Sequence, residues 1–166
     1  MNVEVGISEM KITSNPEDTL IVRSLGSCIG MSIYDPIIGT VALVHCLLPL
    51  SKIDPEKATS RPYTFVDTGV AAVLTAFIDA GSRLTDLVSC VAGGANMISS
   101  MSMDIGHRNC TVARKILWKN NILIHGEDLG GESARTMIIN ARTGITTLQS
   151  GGKVWEMAHK NKELIR

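Results

Sequence analysis

The chain has 166 residues, 45 % apolar and 19 % charged, the composition of one globular domain that can bury its own core without staples. Sixteen basic and sixteen acidic residues cancel, and 4 % of the residues are aromatic. That excludes a broad electrostatic pull toward nucleic acid or anionic membrane, and disfavours a base-stacking platform. No run of 18 apolar residues and no basic-then-apolar N-terminus occurs, so neither membrane insertion nor an export signal is expected, and the location reads as cytoplasmic. Cys28, Cys46, Cys90 and Cys110 lack the close pairing of a zinc site and are read as free thiols.

Along the chain, Thr19–Arg23 and Ser27–Tyr34 read as strands, the second ended by Asp35-Pro36 and Gly39. Alternation puts Cys28, Gly30 and Ser32 on one face and Ile29, Met31 and Ile33 on the other, so space is expected beside the Cys28 sulfur. Thr40–Leu48 is an almost unbroken apolar run, as in a strand buried on both faces. Leu50–Pro62 is polar with two prolines and reads as a mobile loop. Val66, Val70, Val73, Leu74 and Phe77 make one stripe of a helix over Thr64–Ala80, closed by Gly81.

Asp86–Ala92 reads as a strand running into Gly93-Gly94. A second helix follows, capped by Asn109 and reaching about Asn120. Ile122–His125 is a strand leading to Gly130-Gly131. Arg135–Ala141 and Ile145–Gln149 form a hairpin around Thr143-Gly144. Lys153–Arg166 reads as a terminal helix or a frayed tail. The whole is one domain over residues 1–166, a layered α/β sandwich with mixed or antiparallel sheet and two main helices.

Two residues carry the chemistry. Cys28 lies in Gly26-Ser27-Cys28-Ile29-Gly30, where small neighbours permit close approach, and His45 follows seventeen residues later. A histidine that takes a proton from a thiol gives the nucleophilic thiolate, so the pair points to attack on a carbonyl or amide. Gly26-x-Cys28-x-Gly30 has the form of a nucleophile elbow, but it leads into a strand rather than a helix, which argues against an α/β-hydrolase. The backbone N–H of Cys28, with Gly26 and Ser27 beside it, is the expected oxyanion donor; Ser27 either assists through its hydroxyl or is only a turn residue. No metal or other cofactor is expected, because the histidines and cysteines lack ligand spacing. Gly93-Gly94 and Gly130-Gly131 precede no Lys-Ser/Thr and read as turns or points of close backbone approach. Met97, Met101 and Met103 read as core filler, or as an adaptable surface for a partner. From the residues alone, a thiol peptidase or transglutaminase stays open.

Several motifs occur in one order: Leu25-Gly26-Ser27-Cys28, His45-Cys46-Leu47-Leu48-Pro49, Tyr63 with Asp67, and Ala92-Gly93-Gly94-Ala95-Asn96-Met97. Ile105-Gly106-x-x-Asn109, Glu127-Asp128-x-Gly130-Gly131, Arg135 and Thr143-Gly144 follow. In this order the chain resembles CheD, the chemoreceptor glutamine deamidase family of bacterial and archaeal chemotaxis. The resemblance implies hydrolysis of glutamine side chains on receptor cytoplasmic helices, giving glutamate and ammonia. It implies Cys28 as nucleophile, His45 as base, and a sandwich related to the glutamine-deamidating toxins. It also implies a CheC-type phosphatase as a partner, and with it the alternative of a binding module with little activity. One position departs from the family: a supporting threonine six residues before the cysteine is here Val22. Its backbone carbonyl is the group left to orient His45, as a carbonyl does in the related toxins.

Overall fold

The strand beginning at Ile29 sorts the core into two halves, because its side chains alternate between them. Ile29, Met31 and Ile33 pack against helices, while the other face looks across to a second sheet. The computed structural model describes residues 1–97 and 104–157. They form two five-stranded sheets with helices on the outer side of one. The first sheet has the order β1 (Asn2–Glu4), β3 (Thr19–Leu25), β8 (Arg135–Asn140), β9 (Thr146–Ser150), β10 (Lys153–Glu156). The second has β2 (Glu9–Thr13), β5 (Thr40–Cys46), β4 (Ile29–Asp35), β6 (Val88–Gly93), β7 (Ile124–Leu129). β1–β3 and β6–β7 are parallel and the other pairings antiparallel, so both sheets are mixed, as expected.

Helices α2 (Val66–Asp79) and α3 (Ile105–Lys119) cover the second sheet. Val66, Val70, Val73, Leu74 and Phe77 of α2 pack with Cys110, Ala113 and Leu117 of α3 on Met31, Val44 and Val91. Between the sheets, Leu20, Val22, Leu25, Met137, Ile139 and Leu148 meet Val41, Leu43, Cys90 and Ala92. A Ser32–Thr146 hydroxyl bond of 2.7 Å crosses that interface. Burial of these side chains at roughly 25 cal/mol per Å² of apolar surface is the main force holding the layers together. Among the described residues, no helix is long and apolar enough to cross a membrane.

Several expectations change. The small face of β4 does not leave room: a Cβ at Gly30 would lie 2.7 Å from Leu25 Cδ1 and 3.0 Å from Met137 Sδ, so the opposing sheet fills that space. The segment read as a mobile loop is helical. Asp54 accepts from the Lys57 N–H with Pro55 at the first position, starting α1 (Pro55–Ser60), and 3₁₀ turns flank it. Asn109 caps nothing; α3 begins at Ile105, and Asn109 is buried within it. β7 runs on to Leu129 because Gly126–Leu129 pair with β6. Lys153–Glu156 is a strand paired with β9 rather than a helix or tail. β1 and β2 have no counterpart in the sequence reading: they are short, largely exposed and too polar to show a period. Met101, Met103 and residues 158–166 lie outside the described residues.

Candidate active site

Antiparallel pairing of β4 and β5 sets Gly30 opposite His45. Cys28 precedes β4 by one residue and carries its alternation on, joining Leu43 and Ala92 on the face between the sheets. His45 continues the face of Val41 and Leu43, so thiol and imidazole belong to one face of neighbouring strands. Both are buried, Cys28 at 9 % exposure and His45 at 4 %. The chain reaches Cys28 through a bulge in β3. The register with β8 shifts between Val22 and Leu25, and Ser24 takes φ 56°, so the strand turns out into the Gly26-Ser27 loop.

The loop is held by its carbonyls. Gly26 O accepts from the Ala95 N–H and Cys28 O from the Gly94 N–H, both at 2.9 Å. Ser27 O accepts from Asn109 Nδ2 at 2.8 Å. A second proton of Asn109 Nδ2 goes to Leu47 O at 3.1 Å, two residues beyond His45. The amides of Ser27 and Cys28 donate to no acceptor among the described residues. Gly93 permits this close approach: its φ is +112°, and a Cβ there would lie 2.1 Å from Cys28 O. Met97 packs over the loop, its Cγ 3.0 Å from where a Gly26 Cβ would be. Gly93-Gly94, read in the sequence as a turn or a point of close backbone approach, is such a point, and the backbone it meets is that of Cys28. On the other side, Leu47 and Leu48 donate to Thr64 O, and Ser51 binds Asp67 through both its amide and its hydroxyl.

Burial pushes the Cys28 thiol above its ordinary value, partly offset by its own backbone N–H. Burial pushes His45 below the ordinary imidazole value, opposed by the backbone of Val5 and the charge of Glu9. Both shifts act in the same sense, favouring the neutral thiol and the neutral imidazole. Neither ring nitrogen of His45 has a hydrogen-bond partner among the described residues, although both are buried. The thiol–imidazole bond is thus not made at rest, and neither is the expected bond from the Val22 carbonyl. Val5 lies near enough to favour the imidazolium without hydrogen-bond geometry. The Val22 side chain belongs to the core between the sheets.

The other thiols have structural surroundings. Cys46 faces the helices, with its Sγ 2.7 Å from where a Gly69 Cβ would be, and burial pushes its thiol far up. Cys90 is pushed up to about 11, mainly by burial. Cys110 lies under Gly94, and burial raises it too. His125 Nδ1 accepts from the Ser89 amide at 3.3 Å, and His107 lies on the exposed side of α3. Among the described residues no group of three or more His, Cys, Asp or Glu side chains is placed to hold a metal.

Two site-building residues escape a reading by chemistry alone. Asn109 is one; its signal is a polar residue at the head of a helical stretch, which reads as a cap. Arg135 is the other. Buried at 8 % exposure, it donates to Gly93 O, Gly130 O and Asp128 Oδ1, tying the ends of β6 and β7 beneath the Cys28 loop.

A sequence profile described as CheD chemotactic sensory transduction matches residues 47–150. A protein of Solibacter usitatus named probable chemoreceptor glutamine deamidase CheD is 40 % identical over 154 residues, 92 % of this chain and 91 % of that one. One from Syntrophus aciditrophicus, named probable chemoreceptor glutamine deamidase CheD 1, is 38 % identical over 91 % of this chain and 95 % of its own. A similarly named protein of the archaeon Haloarcula marismortui is 38 % identical over 86 % of this chain and 81 % of its own.

Proposed function

The chain belongs to the CheD family, and we propose that it hydrolyses glutamine side-chain amides of chemoreceptor cytoplasmic helices, releasing ammonia and leaving glutamate. The observation that carries the reading is the placement of Cys28 and His45 on one face of paired strands, beside backbone amides that have no acceptor among the described residues.

Burial favours the neutral thiol and the neutral imidazole, and His45 acts as a general base on the bound substrate. It takes the Cys28 proton as the sulfur attacks the amide carbon. The carbonyl oxygen becomes an oxyanion facing the Cys28 and Ser27 amides. The imidazolium then gives its proton to the departing nitrogen, ammonia leaves, and a thioester to Cys28 remains. Water, deprotonated by His45, cleaves the thioester, and the thiol recovers its proton. The ring's lack of fixed partners lets it serve sulfur, leaving group and water in turn. The backbone of Val5, rather than that of Val22, supports the imidazolium. A module that only docked on a CheC-type phosphatase would need neither a buried imidazole nor loop amides that lack a partner among the described residues.

The test is incubation of receptor cytoplasmic fragments with the protein, followed by mass spectrometry for amide-to-acid conversion. Conversion that disappears in Cys28→Ala and persists in Cys90→Ala supports the reading. Conversion surviving in Cys28→Ala would overturn it.

A further inference from the structure

Asn109 is out of place by the rules of helix composition. Asparagine is a poor helix former, yet this one is 0 % exposed inside α3 and is buried along with Cys110, Ala113 and Leu117. It donates outside its helix, to Ser27 O and Leu47 O. Its Oδ1 is buried with no hydrogen-bond partner among the described residues. A leucine of similar size would avoid the cost of that unsatisfied acceptor. What the position gains from asparagine is therefore the two donated bonds.

Those bonds flank the reactive pair, one just before Cys28 and the other two residues after His45. The Gly26–Ser27 and Ser27–Cys28 peptides are trans, and in a planar trans peptide the carbonyl and the following N–H point in opposite directions. Fixing Ser27 O on Asn109 therefore aims the Cys28 N–H away from α3. The Ala95 amide on Gly26 O does the same for the Ser27 N–H. Neither aimed amide has an acceptor among the described residues. The Cys28 amide also lies where it favours the charged form of its own sulfur, beside the reacting atom.

We propose that Asn109 is a positioning residue of the hydrolytic reaction. From inside α3 it locks the Ser27–Cys28 peptide plane, so that the Cys28 N–H meets the oxyanion. Its second bond, to Leu47, holds the end of the His45 strand against the same loop. The proposal rests on Cys28 being the nucleophile, and deepens that reading.

The test compares two reactions of Cys28, each followed by peptide mass mapping. Acylation by p-nitrophenyl acetate forms a sulfur–carbon bond through a tetrahedral oxyanion and expels p-nitrophenolate. Alkylation by iodoacetamide displaces iodide at a saturated carbon and forms no oxyanion. In Asn109→Leu, acylation should fall by about tenfold or more while alkylation stays near the wild-type rate, since loss of one oxyanion donor costs about 10²–10³ in kcat. Toward receptor fragments, kcat should fall with KM unchanged, because the amide acts only in the transition state. Equal loss in both Cys28 reactions, or loss in neither, would overturn the proposal. If Asn109→Leu shows no cooperative melting, Asn109→Ser is read instead. Its hydroxyl can serve only one carbonyl, and an acylation-to-alkylation ratio at the wild-type value overturns the proposal there too. Wild-type protein that acylates at Cys28 but converts no receptor glutamine would sink the deamidase reading and leave the ratio to decide on Asn109. Wild-type Cys28 that alkylates but does not acylate overturns both.

Discussion

His45 combines two properties that usually exclude each other: it is buried, and neither ring nitrogen has a partner among the described residues. Its consequence for stability has a definite sign. Burial holds the folded imidazole below its ordinary 6.5. As pH falls through about 6.5, the unfolded chain therefore takes up a proton that the folded protein refuses. The unfolded state binds more protons, and stability drops on acidification. The four thiols act at the other end. All are raised above their ordinary 9.0, so above about pH 9 the unfolded chain releases protons that the fold retains, and stability falls again. Denaturant titrations at stepped pH should show both slopes, with the acid slope reduced in His45→Gln. On activity, His45→Ala should lose about 10²–10⁴-fold, the usual contribution of a general acid–base group. In the wild type the acid limb of kcat/KM should fall below pH 6.5, the side to which burial moves this imidazole. An acid limb above 6.5 would contradict a neutral resting imidazole. The sequence made Cys28 and His45 legible as reactive types. It could not show that burial favours their neutral forms, because desolvation comes from residues remote in the chain.

At the scale of elements, the end of β6 and the start of α3 behave as one tight joint. Gly94 has φ +63°, and a Cβ there would lie 2.1 Å from Cys110 Sγ; one at Gly106 would lie 2.4 Å from Ala95 O. Gly93 is the member whose side chain would strike the Cys28 carbonyl. Gly93→Ala therefore has to push the Cys28 loop aside and strain a positive φ, at a cost of about 1–3 kcal/mol or more. It should lower the melting temperature and reduce deamidation further than the lost stability accounts for. Gly39→Ala is the control: its φ of +67° carries the backbone strain, but nothing lies within 4 Å of its Cβ. Loss of activity in both variants alike would remove the link between Gly93 and the loop. The paired glycines were readable as places of close approach. Which backbone approaches them was not, because Cys28 and Gly93 are brought together only by β4–β6 pairing.

At the scale of the molecule, Arg135 joins parts of the chain that no local rule connects. It starts β8 in the first sheet, yet it binds Gly93 O of β6, Gly130 O, and Asp128 of β7 in the second. Its side chain is 8 % exposed and that of Asp128 is 33 %. Arg135→Met should cost about 2–3 kcal/mol by denaturant unfolding, below the full cost of a broken buried pair because Asp128 is partly solvated. Arg135→Lys should recover only part of that, since an ammonium cannot reproduce the fork. A cost near zero for Arg135→Met would mean that the sheets need no tie at this end.

The strong apolar periods of β4, β5, α2 and the β8–β9 hairpin were determined by the sequence itself, since burial of a repeating face is a local pattern with a global reward. The reactive residue types and the family motifs were legible for the same reason, as short strings whose order is preserved. Only the tertiary structure decided the rest. It filled the space beside Gly30 with Leu25 and Met137, and set Asn109 inside α3 as a donor to two loops instead of a cap. It also recruited the exposed N-terminal strands, which have too little apolar pattern of their own. In each case the deciding partner lies in another strand or helix, and a side chain's pattern along the chain carries no record of what faces it across a sheet.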